Sequence, residues 1–177
     1  WQRYFQTGPN REPLYPLLIA ASMKLAGTSG VSYQLVLKFL QFAILFSTQG
    51  LCLLILNALG VSALISAAVV LYLGVSPALV NSSLSLYSEI AAYPWVLLLI
   101  LIHLKGRQKI NETIPAPAAG LGLAFGLTAV ALCLVKGVFE PIIPLLLFPS
   151  LILVFIHRRT NKILARNAAV FTFSAAA

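Results

Sequence analysis

The sequence contains no aspartate, and its acidic residues are four glutamates, Glu12, Glu89, Glu112 and Glu140. A reaction that requires an aspartate must take it from outside these residues. Charge of either sign is scarce. Charged residues make up 9% of the chain and hydrophobic residues 60%, against roughly 25% charged in soluble domains, so a water-soluble fold would have too little polar cover. The two cysteines, Cys52 and Cys133, both fall in apolar runs, which excludes a disulfide framework and any metal-ligand spacing built on sulfur. These deficits point to an all-α, polytopic bundle of transmembrane helices.

A helix needs about 20 residues to cross the hydrocarbon. Apolar runs of that length lie at Leu35 to Leu59, Val61 to Val80, Leu86 to Leu104, Ala116 to Val135 and Val138 to His157, and a sixth begins near Ala168. The run at residues 14–27 is shorter and carries Lys24, so it reads better as an interfacial helix than as the alternative, a tilted span. The expected organisation is one partial transmembrane domain over residues 1–177: an external loop at 1–13, the interfacial helix at 14–27, and five to six spans over 35–177. A start at Trp1 and an end inside the apolar stretch Ala168 to Ala177 fit a fragment of a longer membrane protein.

The basic residues set the orientation. Lys105, Arg107 and Lys109 follow the third span, and Arg158, Arg159, Lys162 and Arg166 follow the fifth, which places seven of the twelve on one side. By the positive-inside rule that side is cytoplasmic, and the expected location is multi-pass in the cell (inner) membrane. The net charge of +8 is then a topology signal. It is spread over loops, without the basic helix or interleaved aromatics of a nucleic-acid reader, so nucleic acid is not an expected partner.

On the opposite side the same topology gathers Arg11, Glu12, Glu89, Lys136 and Glu140. Lys136 ends one apolar run and Val138 begins the next, and an ammonium at a bilayer boundary either anchors at the headgroups or holds an anion. Glu89 opens a span that contains Pro94; its carboxylate either faces a headgroup-level cavity or complements the helix dipole. Two carboxylates on one face suit a divalent cation or an acid/base pair, and two cations suit a phosphate.

These residues also resemble a family. Arg11-Glu12-Pro13-Leu14-Tyr15-Pro16 is similar to the segment after the catalytic loop of C-type-fold, polyprenyl-phosphate-sugar-dependent glycosyltransferases, the group that includes protein O-mannosyltransferases and the lipid A aminoarabinose transferase. Ser88-Glu89 at the opening of a span, and Gly126-Leu127-Thr128 through Val135-Lys136-Gly137 to Pro144-Leu145-Leu146, extend the likeness to about Leu147. The resemblance implies that Glu12 and Glu89 help hold a metal or organise the cavity, and that Arg11 and Lys136 lie near the donor phosphate. It implies a polyprenyl-phosphate sugar as donor, a lipid or protein as acceptor, membrane lipids as surroundings, and a divalent metal ion as the one cofactor to consider. The family's catalytic aspartate lies upstream of the residues matched here, and no residue of this chain matches it.

The competing classes are a polytopic transporter, which would place charge or broken helices near the bilayer midplane, and a non-catalytic membrane subunit. Mid-span polarity is confined to groups such as Ser47, Thr48 and Gln49 in the first span. Gly122 and Gly126, four residues apart, read as a helix-packing face. His103 and His157 read as residues at the cytoplasmic ends of spans.

Overall fold

The computed structural model describes residues 14–84, 89–110, 116–136, 141–157 and 161–176. Among the described residues every regular element is an α-helix: α1 Leu14–Ser29, α2 Tyr33–Ala58, α3 Ala63–Val75, α4 Pro77–Leu84, α5 Glu89–Ile110, α6 Ala116–Val135, α7 Ile142–His157 and α8 Lys162–Ala176. Three stretches, Tyr33–Ala58, Ile90–Gln108 and Ala118–Val135, are long and apolar enough to cross a membrane, while Pro16–Thr28, Ala63–Val75 and Ile142–His157 are shorter apolar helices.

Local chemistry fixes where the helices stop. α1 ends at Gly30, which takes φ 67° and returns its N–H to the Ala26 carbonyl at 3.0 Å, the left-handed cap that glycine accepts without a Cβ clash. α2 ends in a Schellman motif: Gly60, at φ 73°, donates to Asn57, and Val61 donates to Leu56, each at 3.0 Å. Asn161 starts α8 by accepting the Leu164 N–H on its Oδ1 at 3.1 Å.

The expected uninterrupted span from Val61 to Val80 is two helices. Pro77 has no N–H and disfavours helical geometry in the residue before it, and Ser76 sits at ψ 116° between α3 and α4. The chain then recovers at once, with Val80 donating to the Ser76 carbonyl at 3.0 Å. α5 runs past Leu104 to Ile110, because backbone pairing continues after the apolar run ends. α8 begins at Lys162, six residues before the Ala168 start expected from hydropathy.

The short connections make neighbouring helices antiparallel. α1 and α2 form a hairpin whose buried positions, Ser22 and Ala26 on one arm and Leu37 and Gln41 on the other, repeat every four residues. The helix expected at the interface thus packs along the first half of α2. Ala91 near the start of α5 and Val135 at the end of α6 line one cleft, so these two helices also run antiparallel. α6 and α8 run parallel and very close. A Cβ on Gly122 would collide with the Phe171 carbonyl oxygen, and one on Gly126 would lie 2.5 Å from that of Ala175. The pair of glycines is a packing face, as their spacing predicts. It follows that the Lys105 end of α5 and the Lys162 end of α8 share one end of the bundle, while Glu89 and Lys136 share the other.

The core lies among α5, α6 and α8, around Leu99, Ile102, Phe125, Leu132, Ala168 and Phe171. Outward-facing positions stay apolar: Leu64 is 82% exposed and Phe173 73%, a pattern that fits lipid rather than water as surroundings. Five hydroxyls within the helices turn back on their own backbone, whereas those of Ser66 and Ser150 find no partner among the described residues. Ser22, Ser47, Thr48, Thr128 and Thr172 each donate to the carbonyl four residues earlier, at 2.7–2.9 Å.

Candidate functional site

Toward the Glu89–Lys136 end lies a cleft of about 540 Å³, between α1, α2, α5 and the last residue of α6. Leu17, Leu18 and Ala21 form one wall, Ile44, Ser47 and Leu51 a second, and Ala91, Pro94, Trp95 and Leu98 a third, with Val135 also in the lining. The wall residues recur every three or four positions, so each helix presents one apolar stripe. Ser47 is the one hydroxyl in the lining, and it donates to the Ala43 carbonyl at 2.8 Å. What remains is an apolar slot that offers a ligand contact area and little hydrogen bonding. From Ile44 to Leu51 it runs about 10 Å along α2 at the helical rise.

The expected site residues are placed unevenly. Arg11, Glu12 and Glu140 lie outside the described residues. Glu89 is the first residue of α5, two positions before Ala91 of the cleft wall. Lys136 follows Val135 directly, is half-buried, and donates its backbone N–H to the Leu132 carbonyl at 2.8 Å, which continues the helical bonding of α6 by one residue. The fold therefore brings the backbones of Glu89 and Lys136 to the same end of the cleft, from two antiparallel helices that share its wall. Sequence spacing could not establish that, since 47 positions separate them by number.

A hard divalent cation takes six or more oxygens, and among the described residues no three His, Cys, Asp or Glu side chains come together. The described residues do not assemble a metal site.

Sequence reasoning missed the cleft itself. Leu17, Trp95 and Leu98 were indistinguishable from ordinary lipid-facing or packing residues, because their common role depends on four helices meeting. His103, read as a residue at the end of a span, lies within a helix that continues to Ile110. The side chain is 7% exposed, two turns inside α5, and its Nδ1 has no hydrogen-bond partner; α5 simply continues beyond the apolar run that was expected to end there.

No family model, curated protein or solved structure matches the chain.

Proposed function

We propose that this chain is part of a multi-pass glycosyltransferase of the inner membrane that takes a sugar from a polyprenyl-phosphate donor, on the external face shared by Glu89 and Lys136. The observation that carries the reading is the cleft: an apolar slot lined in part by Val135, with Lys136 the next residue in the chain and the Glu89 position at the start of the helix that supplies Ala91, Pro94, Trp95 and Leu98. A lipid-linked phosphate has the matching chemistry, an apolar chain for the slot and an anion for the lysine.

In this reading the carrier's first isoprene units lie between Leu17, Trp95 and Leu98, and the phosphate rests at Lys136 with help from Arg11. Glu89 and Glu12 orient the sugar or acceptor. Transfer is a single displacement. A general base removes the proton of the acceptor hydroxyl, the acceptor oxygen bonds the anomeric carbon, and the bond to phosphate breaks to release the polyprenyl phosphate. The cations stabilise the charge that develops on the leaving phosphate. With no aspartate in the sequence, the base is assigned to the family's loop upstream of Arg11, and no residue here is given a catalytic role.

Photocrosslinking tests the site. A polyprenyl phosphate carrying a diazirine in its first isoprene units should label α1 and α5 peptides containing Leu17 or Trp95, and Leu98→Trp, which fills the slot, should reduce that labelling about tenfold or more. Labelling spread evenly over the lipid-facing helices and unaffected by Leu98→Trp would remove the reading.

One observation favours a second reading, a transporter: the break at Ser76–Pro77 is a discontinuous helix within the bundle, beside Gln49. Against it, α3 and α4, the two helices that flank the break, carry no charged residue. Solute flux in proteoliposomes that falls with Gln49→Leu, with no lipid-phosphate labelling, would decide for the transporter. A non-catalytic subunit predicts neither.

A further inference from the structure

Gln49 is the seventeenth residue of α2, about 13 Å from the Ala58 end at the helical rise, which is near the middle of a hydrocarbon layer about 30 Å thick. Its side chain is half-buried and makes no hydrogen bond among the described residues. The amide lies in a notch against α3 that exists because residue 74 is glycine: a Cβ there would fall 2.7 Å from the Gln49 Nε2. Two residues further along α3, Ser76 leaves the helix, and Pro77 has no N–H to give to the Leu73 carbonyl.

An amide in hydrocarbon without a partner is strongly unfavourable, and the alternative to water at that depth is another polar group brought by protein. The surroundings of Gln49 are shaped for such an approach. Gly50, the next residue, has open space where a Cβ would be, which lets a second helix come near, as small residues do at membrane helix interfaces. Phe46 and Leu53, three residues before and four after Gln49 on α2, and Leu71 and Val75, three before and one after Gly74 on α3, are exposed by 67%, 39%, 68% and 72%. The helical spacing puts these apolar residues on the same side of their helices as the contact between Gln49 and Gly74. A primary amide has both donors and an acceptor, so two copies related by a twofold axis satisfy each other with a reciprocal pair of N–H···O bonds, and an isologous contact needs no other complement.

We propose that the face centred on Gln49 is where two copies of this chain meet in the membrane, their Gln49 amides paired across a twofold axis and their Phe46, Leu53, Leu71 and Val75 side chains packed around the pair. The contact lies on the α2–α3 side of the bundle and is separate from the apolar cleft.

The test is self-association of the full chain in liposomes of defined lipid, read by energy transfer between separately labelled populations as the protein-to-lipid ratio falls. Wild type should associate, Gln49→Leu should weaken association about tenfold, and Gln49→Asn should retain part of it. In a background with Cys52→Ala and Cys133→Ala, Gln49→Cys should form a disulfide-linked dimer on mild oxidation, whereas Phe155→Cys, on the far helix α7, should not. Wild type that stays monomeric at every ratio overturns the proposal, as does Gln49→Leu associating as tightly as wild type. Helical content and melting temperature of each variant separate a lost contact from a lost fold.

Discussion

Phe125 of α6 and Phe171 of α8 meet edge to face, with ring centroids 6.0 Å apart and planes at 63°. Both side chains are fully buried. The edge of Phe171 also lies beneath Gly106 of α5, where an added Cβ would come within 2.6 Å of the ring. One aromatic side chain therefore fixes the spacing of three helices, two of which carry the Glu89 and Lys136 positions.

Phe171→Ala should lower the unfolding free energy of the protein in detergent by about 3–5 kcal/mol, the usual cost of emptying a buried phenyl site. Phe173→Ala, two residues along the same helix and 73% exposed, should change it little. Chemical unfolding followed by circular dichroism gives both values, and equal values for the two variants would mean that α8 is not held by this ring.

Gly126→Leu should force α6 and α8 apart, because the atom facing the new side chain is the carbonyl of Ala175, which cannot rotate away. Gly27→Ala is the control: nothing lies within 4 Å of that position, and the change should be neutral or slightly stabilising. A loss of several degrees in melting temperature for the first variant only is expected. If both melt like wild type, the two helices are not in close contact.

A reporter fused after Gly106 or after Arg159 should be cytoplasmic, and one fused after Val80 external, from the distribution of basic residues and from the common end shared by Lys105 and Lys162. An external Gly106 fusion would invert the bundle and move the cleft's charged end to the other face.

On the proposed function, Glu89→Gln should lower sugar transfer at least tenfold while leaving abundance unchanged, since the swap keeps size and removes charge. Lys136→Met should weaken binding of the polyprenyl-phosphate donor more than Lys136→Arg, because methionine keeps the apolar stem and loses the cation. Full activity in the glutamine variant would return Glu89 to the role of a helix-start carboxylate. Unchanged donor affinity in the methionine variant would make Lys136 a headgroup anchor.

The parts of this fold that a reader of the sequence could find are those written in a single element. The α2 run is predominantly apolar, and its helix was placed within two residues at each end. Gly122 and Gly126 announced a close approach, although not that α8 would supply the partner. Pro77 was visible too, but hydropathy averages composition over a window and does not register that one missing N–H divides a run in two. α8 starts at Lys162, capped by Asn161, six residues before the apolar signal that begins at Ala168. The cleft was out of reach. Its lining comes from α1, α2, α5 and α6, and no local pattern says which stripe of Leu17, Ile44 or Trp95 faces the others. Of the site residues, Glu89 and Lys136 were chosen for their charge at helix ends, and their placement at one end follows from the antiparallel packing of α5 and α6.

The hydroxyls of Ser22, Ser47, Thr48, Thr128 and Thr172, each returned to its own helix, change how these segments would be treated during biosynthesis. A hydroxyl already bonded to the carbonyl four residues back brings no unmet proton donor into the bilayer, so an insertion machinery that partitions each helix between water and lipid meets segments more oil-like than their letters indicate. Replacing Thr48 by valine, which has nearly the same shape, should leave the insertion efficiency of α2 almost unaltered, whereas Gln49, with no such internal bond, should be the residue whose replacement by leucine improves it.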